Sequence, residues 1–205
     1  MRILIACDKF KGSLDAAGAC SAIAAGLHDA DPTIEIDKCP LADGGDGTGD
    51  ILASHHGAKP QTQTVRGPLQ RQHTAMWWWE KDAKRAIIEM AQASGLALLD
   101  RNEYAPLETT TYGTGELIAA ALARDATEIL VAVGGSATID GGIGALQALG
   151  WEFYDRDNKK LPIGGGQLLS QVARVVPPSD KPAAHLTILA DVKNPLCGPN
   201  GATSV

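Results

Sequence analysis

The sequence has no long apolar run and little positive charge. No apolar stretch in its 205 residues approaches the roughly 18 residues needed to cross a bilayer. The formal charge is −6, from 18 Lys and Arg against 24 Asp and Glu, which offers little basic surface to nucleic acid or to an anionic membrane. Met1–Phe10 reaches Asp8 and Lys9 before a signal-like apolar region develops. We therefore expect a cytoplasmic protein with a small-molecule partner; the oligomeric state is not indicated.

Cysteine is also scarce and dispersed. The four cysteines form no C-x-x-C pair and lie mostly in apolar, periodic segments. They are Cys7, Cys20, Cys39 and Cys197. This spacing disfavours both a zinc site and a disulfide framework. We interpret them as reduced thiols with structural roles.

Strand and helix signals alternate along the N-terminal third. Arg2–Cys7 is a short apolar run, Leu14–His28 has apolar residues at intervals of three and four, and Thr33–Cys39 alternates as a strand does. A second helix is predicted over Ile51–His56, and Gln61–Val65 would supply a third strand. This alternation predicts an α/β fold with a parallel, doubly wound sheet, in which ligands bind beyond the carboxyl ends of the strands.

The pattern changes near Arg66–Gly67. His73–Glu80 and Arg85–Met90 are predicted strands with no helix between them. We therefore predict two units: residues 1–66, which hold too few elements to complete a parallel sheet domain, and residues 67–205, a second α/β domain.

A glycine-rich loop follows the predicted strand Glu128–Val133. In this loop, Gly134–Gly142, the glycines let backbone N–H groups approach an anion, and the next helix N-terminus presents unpaired donors. Ser136 and Thr138 add hydroxyl donors, while Asp140 could orient a metal or a hydroxyl. A sharp turn with Asp140 as helix cap is the alternative. The loop is neither a Walker A motif nor the dinucleotide fingerprint, so spacing alone leaves the ligand open.

A second glycine-rich loop, Leu41–Asp50, carries three carboxylates. Asp43, Asp46 and Asp50 lie among its glycines. Carboxylates on such a backbone suit a hard cation, although the spacing is not that of an EF-hand. Helix capping explains Asp46 equally well.

The first loop combines charges of both signs. Asp8 follows the first predicted strand directly, and Lys9 and Lys11 come next. A carboxylate beside two cations can bind Mg²⁺ together with a phosphate or a carboxylate. Solvated loop lysines are the alternative interpretation.

Five segments in order resemble the signatures of the bacterial type-1 glycerate kinases. They are CDKFKGSL, LADGGDGT, ETTTYGTGELI, GGSATIDGGIGALQALG and DVKNPLCGPNGA, and the resemblance runs from Met1 to Val205. It implies two α/β domains, one Rossmann-like and interrupted by the other, and transfer from ATP with Mg²⁺ to D-glycerate, at the 2-position. Family chains continue past Val205, so the sequence resembles their N-terminal part, and we expect little or no kinase activity from it alone.

With this resemblance the motif residues take predicted roles. We assign catalysis to Asp43, Asp191 and Lys11, phosphate or nucleotide binding to Gly134, Gly135, Ser136, Thr138 and Asp140, substrate binding to Lys9 and Asn194, and the metal to Asp8 and Asp46. Ile139 departs from the family, which usually has Asn there. A non-catalytic anion-binding module, a phosphatase or a kinase for another small hydroxy acid fits the same spacing.

Overall fold

The computed structural model describes residues 1–10, 12–180, 183–194, 198–199 and 201. Its strands are β1 (Arg2–Ile5), β2 (Glu35–Lys38), β3 (Lys59–Arg66), β4 (Gln72–Glu80), β5 (Arg85–Glu89), β6 (Glu128–Ala132), β7 (Glu152–Tyr154), β8 (Arg174–Val176) and β9 (His185–Leu189). The helices are α1 (Ala16–Ala30), α2 (Thr48–His56), α3 (Ala91–Ser94), α4 (Tyr112–Leu122) and α5 (Ile143–Ala148). The predicted α/β class is confirmed. No helix within these ranges is long and apolar enough to span a bilayer.

The N-terminal unit is a β1–α1–β2 crossover. The two strands pair in parallel, with Arg2 opposite Glu35. Asp15 begins α1, because its carboxylate accepts a hydrogen bond from Gly18 N–H at 2.6 Å. The helix turns small side chains, among them Cys20, towards the strands, and Cys20 Sγ lies 3.3 Å from Cys7 Sγ as a free thiol. The start of the first loop, at Cys7, is thus packed closely against α1.

A five-stranded sheet forms the centre of the remaining chain, in the order β3-β4-β5-β6-β9. The last three of these strands are mutually parallel. The expectation that Gln61–Val65 extends the first sheet is wrong, because β3 pairs antiparallel with β4. A tight turn, closed by Gly67 N–H to Arg71 O at 2.7 Å, makes this local pairing the easier one. The predicted domain boundary near Arg66–Gly67 falls at this turn, between two paired strands. The β3–β4 pairing therefore favours a boundary before β3. The division into two domains itself stays a prediction.

Two helices cover opposite faces of this sheet, and the tryptophans of β4 anchor both. Successive strand residues face opposite sides. Trp78 packs with Ala53 of α2 and with Ile87, whereas Trp77 packs in the cluster that contains Leu117 of α4. The sheet is therefore the middle layer of three, and α2 is fixed to it by an aromatic contact.

The start of α2 lies very close to the sheet. The helix begins at Thr48, earlier than the predicted Ile51, and Thr48 Oγ1 donates to Gly45 O at 2.6 Å. Gly49 is buried against Trp78, and its N–H donates to Glu89 Oε1 at 2.6 Å. This contact positions the glycine loop that precedes α2.

We expect Gly49→Ala to destabilise the protein. A Cβ at Gly49 would overlap the Trp78 ring, and overpacking of this kind costs about 1–3 kcal/mol. The matched control is Gly26→Ala at an exposed position of α1, where a Cβ meets nothing within 4 Å and alanine favours the helix by about 0.5–1 kcal/mol. Urea unfolding of both variants measures the difference; equal free energies of unfolding would contradict the contact.

Candidate active site

Three loops meet at the carboxyl ends of the parallel strands. Gly134 N–H, just after β6, donates to Gly44 O at 2.9 Å. Gly44 has φ 90°, and a Cβ there would lie 2.9 Å from Leu189 O at the end of β9. Only glycine fits this left-handed, crowded position. The Asp43–Gly47 loop is thereby held across the ends of β6 and β9.

An ion pair links this loop to the first loop. Lys9 Nζ lies 2.9 Å from Asp43 Oδ1 and 3.8 Å from Asp8 Oδ1. Burial is the largest single influence on Lys9 and lowers its pKa, but the hydrogen bond to Asp43 and the negative charges of Asp43, Asp8 and Asp46 together outweigh it, so the pKa of Lys9 is raised. Lys9, together with the N–H of Gly45, holds the pKa of Asp43 below its usual value. Both partners are therefore charged at neutral pH.

One cavity opens on the Lys9 side of the loop. This apolar cleft has a volume of about 730 Å³. Its border includes Lys9, Asp46, Gly47, Gly135, Phe10, Leu14, Leu96 and Tyr104. A Cβ at Gly135 would come within 2.7 Å of Asp46 Oδ1, so these two residues are direct neighbours at the rim. The cleft joins a charged end to an apolar wall.

A second cavity opens on the other side of the loop. This acidic cavity has a volume of about 620 Å³, and its border includes Asp43, Thr48, His55, Leu41 and Asp191. The two predicted catalytic carboxylates, Asp43 and Asp191, thus border one cavity although they lie far apart in sequence. Asn194 is exposed further along the loop after β9 and is not among the residues that border either cavity.

The glycine loop after β6 uses part of its donors internally. The Asp140 carboxylate is buried and accepts hydrogen bonds from the N–H groups of Thr111, Gly142 and Gly144 at 2.8, 2.9 and 3.2 Å. The expectation that the N-terminus of the next helix leaves its donors unpaired is therefore wrong for Gly142 and Gly144. Thr138 is also buried, and its hydroxyl donates to Thr109 O at 2.6 Å.

These hydrogen bonds indicate that Asp140 and Thr138 shape the loop. The exposed residues of the loop's first half are Gly135 and Ser136, and phosphate binding by Gly134–Ser136 stays a prediction. Ile139 is half-buried, and its N–H donates to Pro106 O at 3.2 Å. Nothing in the structure explains its departure from the family.

Sequence reasoning missed Glu89. It ends β5, is 3% exposed, and accepts hydrogen bonds from Gly49 N–H at 2.6 Å and from the Gln92 amide at 3.5 Å. Burial raises the pKa of Glu89, and these two donors only partly oppose the shift. The sequence does place a single acidic residue at the end of an apolar strand here, and this pattern could have identified Glu89. Asp8 and Asp191 similarly lie close to the ends of their own strands.

Of the two predicted metal ligands, Asp46 borders the apolar cleft, whereas Asp8 borders neither cavity and lies 3.8 Å from Lys9 Nζ. Among the described residues, no group of three or more His, Cys, Asp or Glu is arranged to hold a metal ion. Mg²⁺ on a nucleotide needs only one or two protein carboxylates, because phosphates and water complete its shell. Asp46 at the rim of the apolar cleft fits that requirement. Lys11 lies outside the described residues.

These features define an α/β protein with a candidate ligand site at the ends of its parallel strands, where loops present a lysine, carboxylates and a glycine turn beside two cavities. The chain belongs to the glycerate kinase family, whose family model matches residues 3–205. It is 44% identical over 208 residues to a glycerate kinase of Bacillus subtilis, covering 100% of this chain and 54% of that protein. It is 41% identical over 209 residues to a glycerate 2-kinase of Escherichia coli, with coverage of 100% and 54%.

A solved structure from Salmonella typhimurium LT2, described as a candidate glycerate kinase 2, is similar with a TM-score of 0.84 and 39% identity. That similarity covers 100% of this chain and 55% of the other. The chain therefore spans about half the length of the curated relatives it matches.

We expect Asp140→Ala to reduce stability far more than Ser136→Ala. Removing the carboxylate leaves buried N–H groups unpaired, and each such group costs about 1–3 kcal/mol. Ser136 is exposed and serves as the control in the same loop. Urea unfolding gives the comparison. If Asp140→Ala keeps the wild-type free energy of unfolding but loses anion binding, the structural role is contradicted and the predicted ligand-binding role of Asp140 is supported.

We expect Lys9→Met to raise the pKa of Asp43. Lys9 lowers this pKa in the folded state, so the ion pair stabilises the protein at pH values above the ordinary Asp pKa of about 3.9. This stabilisation is lost as the pH falls through the lowered pKa of Asp43. Carboxylate NMR titration measures the pKa. Lys38→Met, whose lysine contacts Ser21 instead, is the control; an unchanged Asp43 titration in Lys9→Met would contradict the pairing.

Proposed function

We propose that the protein transfers the terminal phosphoryl group of ATP, with Mg²⁺, to the 2-hydroxyl of D-glycerate. The observation that carries this proposal is the charged Asp43 carboxylate, paired with Lys9 where the two cavities and the Gly134–Gly135 turn meet. Family membership supports the reaction class, since kinases of this family act on glycerate by name. A cytoplasmic location stays a prediction.

The acidic cavity suits the acceptor. Lys9 and Gly45 both bind Asp43 Oδ1, and we assign Oδ2 to the substrate hydroxyl, whose proton it accepts. Asp191, on the same cavity, orients the second hydroxyl. Lys9 has donors beyond the one that Asp43 uses, and these neutralise the glycerate carboxylate and the transferred group. Reacting groups are thus held together, which is the main requirement of phosphoryl transfer.

The rim of the apolar cleft suits the phosphates of the donor. Gly135 borders this cleft, and Gly135 and Ser136 are both exposed, so we assign their backbone N–H groups to a phosphate. Asp46, with Asp8 nearby on the first loop, would hold Mg²⁺, which when bound neutralises phosphate charge. The positive charge of Lys9, which borders the same cleft, would also neutralise phosphate charge.

A kinase for another small hydroxy acid is the second candidate. The acidic cavity, at about 620 Å³, is larger than a three-carbon acid requires. Incubation with ATP, Mg²⁺ and a panel of hydroxy acids separates the possibilities by acid-dependent ADP formation. In a chain extended by the C-terminal part of its longer relatives, glycerate alone should stimulate ADP formation. Binding without turnover in that chain would indicate the anion-binding module, and stimulation by a different acid would replace glycerate as the substrate.

We expect Asp43→Asn to lower glycerate-dependent turnover by about 100-fold or more, the range for loss of a general base. The control is Asp50→Asn, the same chemical change on exposed Asp50, which borders neither cavity. Turnover by the 205-residue chain alone is expected to be low. A coupled ADP assay therefore compares the rate of each variant with the wild-type rate. Equal losses in both variants would remove Asp43 from the reaction.

A further inference from the structure

The apolar cleft carries a feature that phosphate binding does not use. Four large apolar side chains on its wall are extensively exposed: Phe10 at 57%, Tyr104 at 48%, Leu14 at 47% and Leu96 at 39%. They come from two loops, one after β1 and the other after α3, and face a single cavity of about 730 Å³. That volume lies within the range of small-molecule sites, about 300–1,000 Å³.

The four apolar side chains of this wall are poor partners for glycerate. Glycerate is a three-carbon acid whose carboxylate and hydroxyls need polar partners, and an apolar wall would desolvate them without replacing those bonds. A nucleobase has the opposite character: its flat faces gain from aromatic and apolar contact, and only its edges need hydrogen bonds. Phe10 and Tyr104 supply aromatic rings of the kind on which such a face stacks.

The position of the wall agrees with this occupant. The same cleft is bordered at its charged end by Lys9, Asp46 and Gly135, the residues that suit phosphates and their metal. A nucleotide with its base on the apolar wall therefore directs its phosphates towards Lys9 and the glycine turn. The proposed acceptor site is the acidic cavity, beyond the Asp43–Gly47 loop.

We propose that the apolar cleft binds the nucleoside part of the donor nucleotide, with the base against Phe10, Leu14, Leu96 and Tyr104. This inference rests on the proposed phosphoryl transfer for the identity of the ligand. It assigns opposite sides of the Asp43–Gly47 loop to the donor and the acceptor. Base contacts of this kind raise nucleotide affinity and leave the affinity for inorganic phosphates unchanged.

The chain offers a matched pair of leucines for the test. Leu14 on the apolar cleft is 47% exposed and Leu41 on the acidic cavity is 46% exposed. Calorimetry measures binding of ADP and of inorganic tripolyphosphate, each with Mg²⁺, to the wild-type chain and to Phe10→Ala, Tyr104→Ala, Leu14→Ala and Leu41→Ala. All four positions are surface-exposed, so folding is expected to survive and is checked by urea unfolding.

The aromatic variants should weaken ADP binding about tenfold, which corresponds to about 1.4 kcal/mol, while tripolyphosphate binding stays within twofold of wild type. Leu14→Ala should weaken ADP binding, whereas Leu41→Ala should not. ADP affinity unchanged in the aromatic variants, or weakened equally by Leu41→Ala, overturns the cleft assignment. ADP binding with this pattern, but without glycerate-dependent turnover in a chain extended by the C-terminal part of its longer relatives, overturns the proposed function alone; no ADP binding overturns both.

Discussion

The hydrogen bond from Gly134 N–H to Gly44 O is the contact on which the site depends. It joins the loop after β6 to the loop before α2, and the crowding of Gly44 against Leu189 O adds the end of β9. A side chain at Gly44 would separate all three. Because the loops are held by backbone, the charged side chains at their tips are left for ligands.

Burial separates the carboxylates of the site into two groups. Glu89 and Asp140 are almost fully buried, and each accepts backbone N–H groups that would otherwise be unpaired inside the protein. Asp43, Asp46 and Asp191 remain accessible and border the two cavities. A buried unpaired donor costs more than a hydrogen bond returns, so the buried acids belong to the framework. The accessible acids are the ones that can exchange water for substrate or metal.

The Asp43–Gly47 loop also explains why the site has two compartments. Its tip meets the first loop through the Lys9–Asp43 pair, and this contact separates the apolar cleft from the acidic cavity. Phosphoryl transfer requires the attacking and leaving oxygens to lie roughly in line, with charge stabilisation between them. A charged pair between a cleft with aromatic side chains and a cavity with two carboxylates is compatible with that requirement.

The sequence by itself determined the alternation of strands and helices and the strand-end positions of Asp8 and Asp191, because apolar periodicity and glycine clusters are local signals. Motif order determined the family. Only the tertiary structure decided that β3 joins the larger sheet, that Asp140 and Thr138 turn inward, and that Glu89 supports the start of α2. Those outcomes depend on which backbone donors become buried and need partners, a property of distant contacts that no local pattern records.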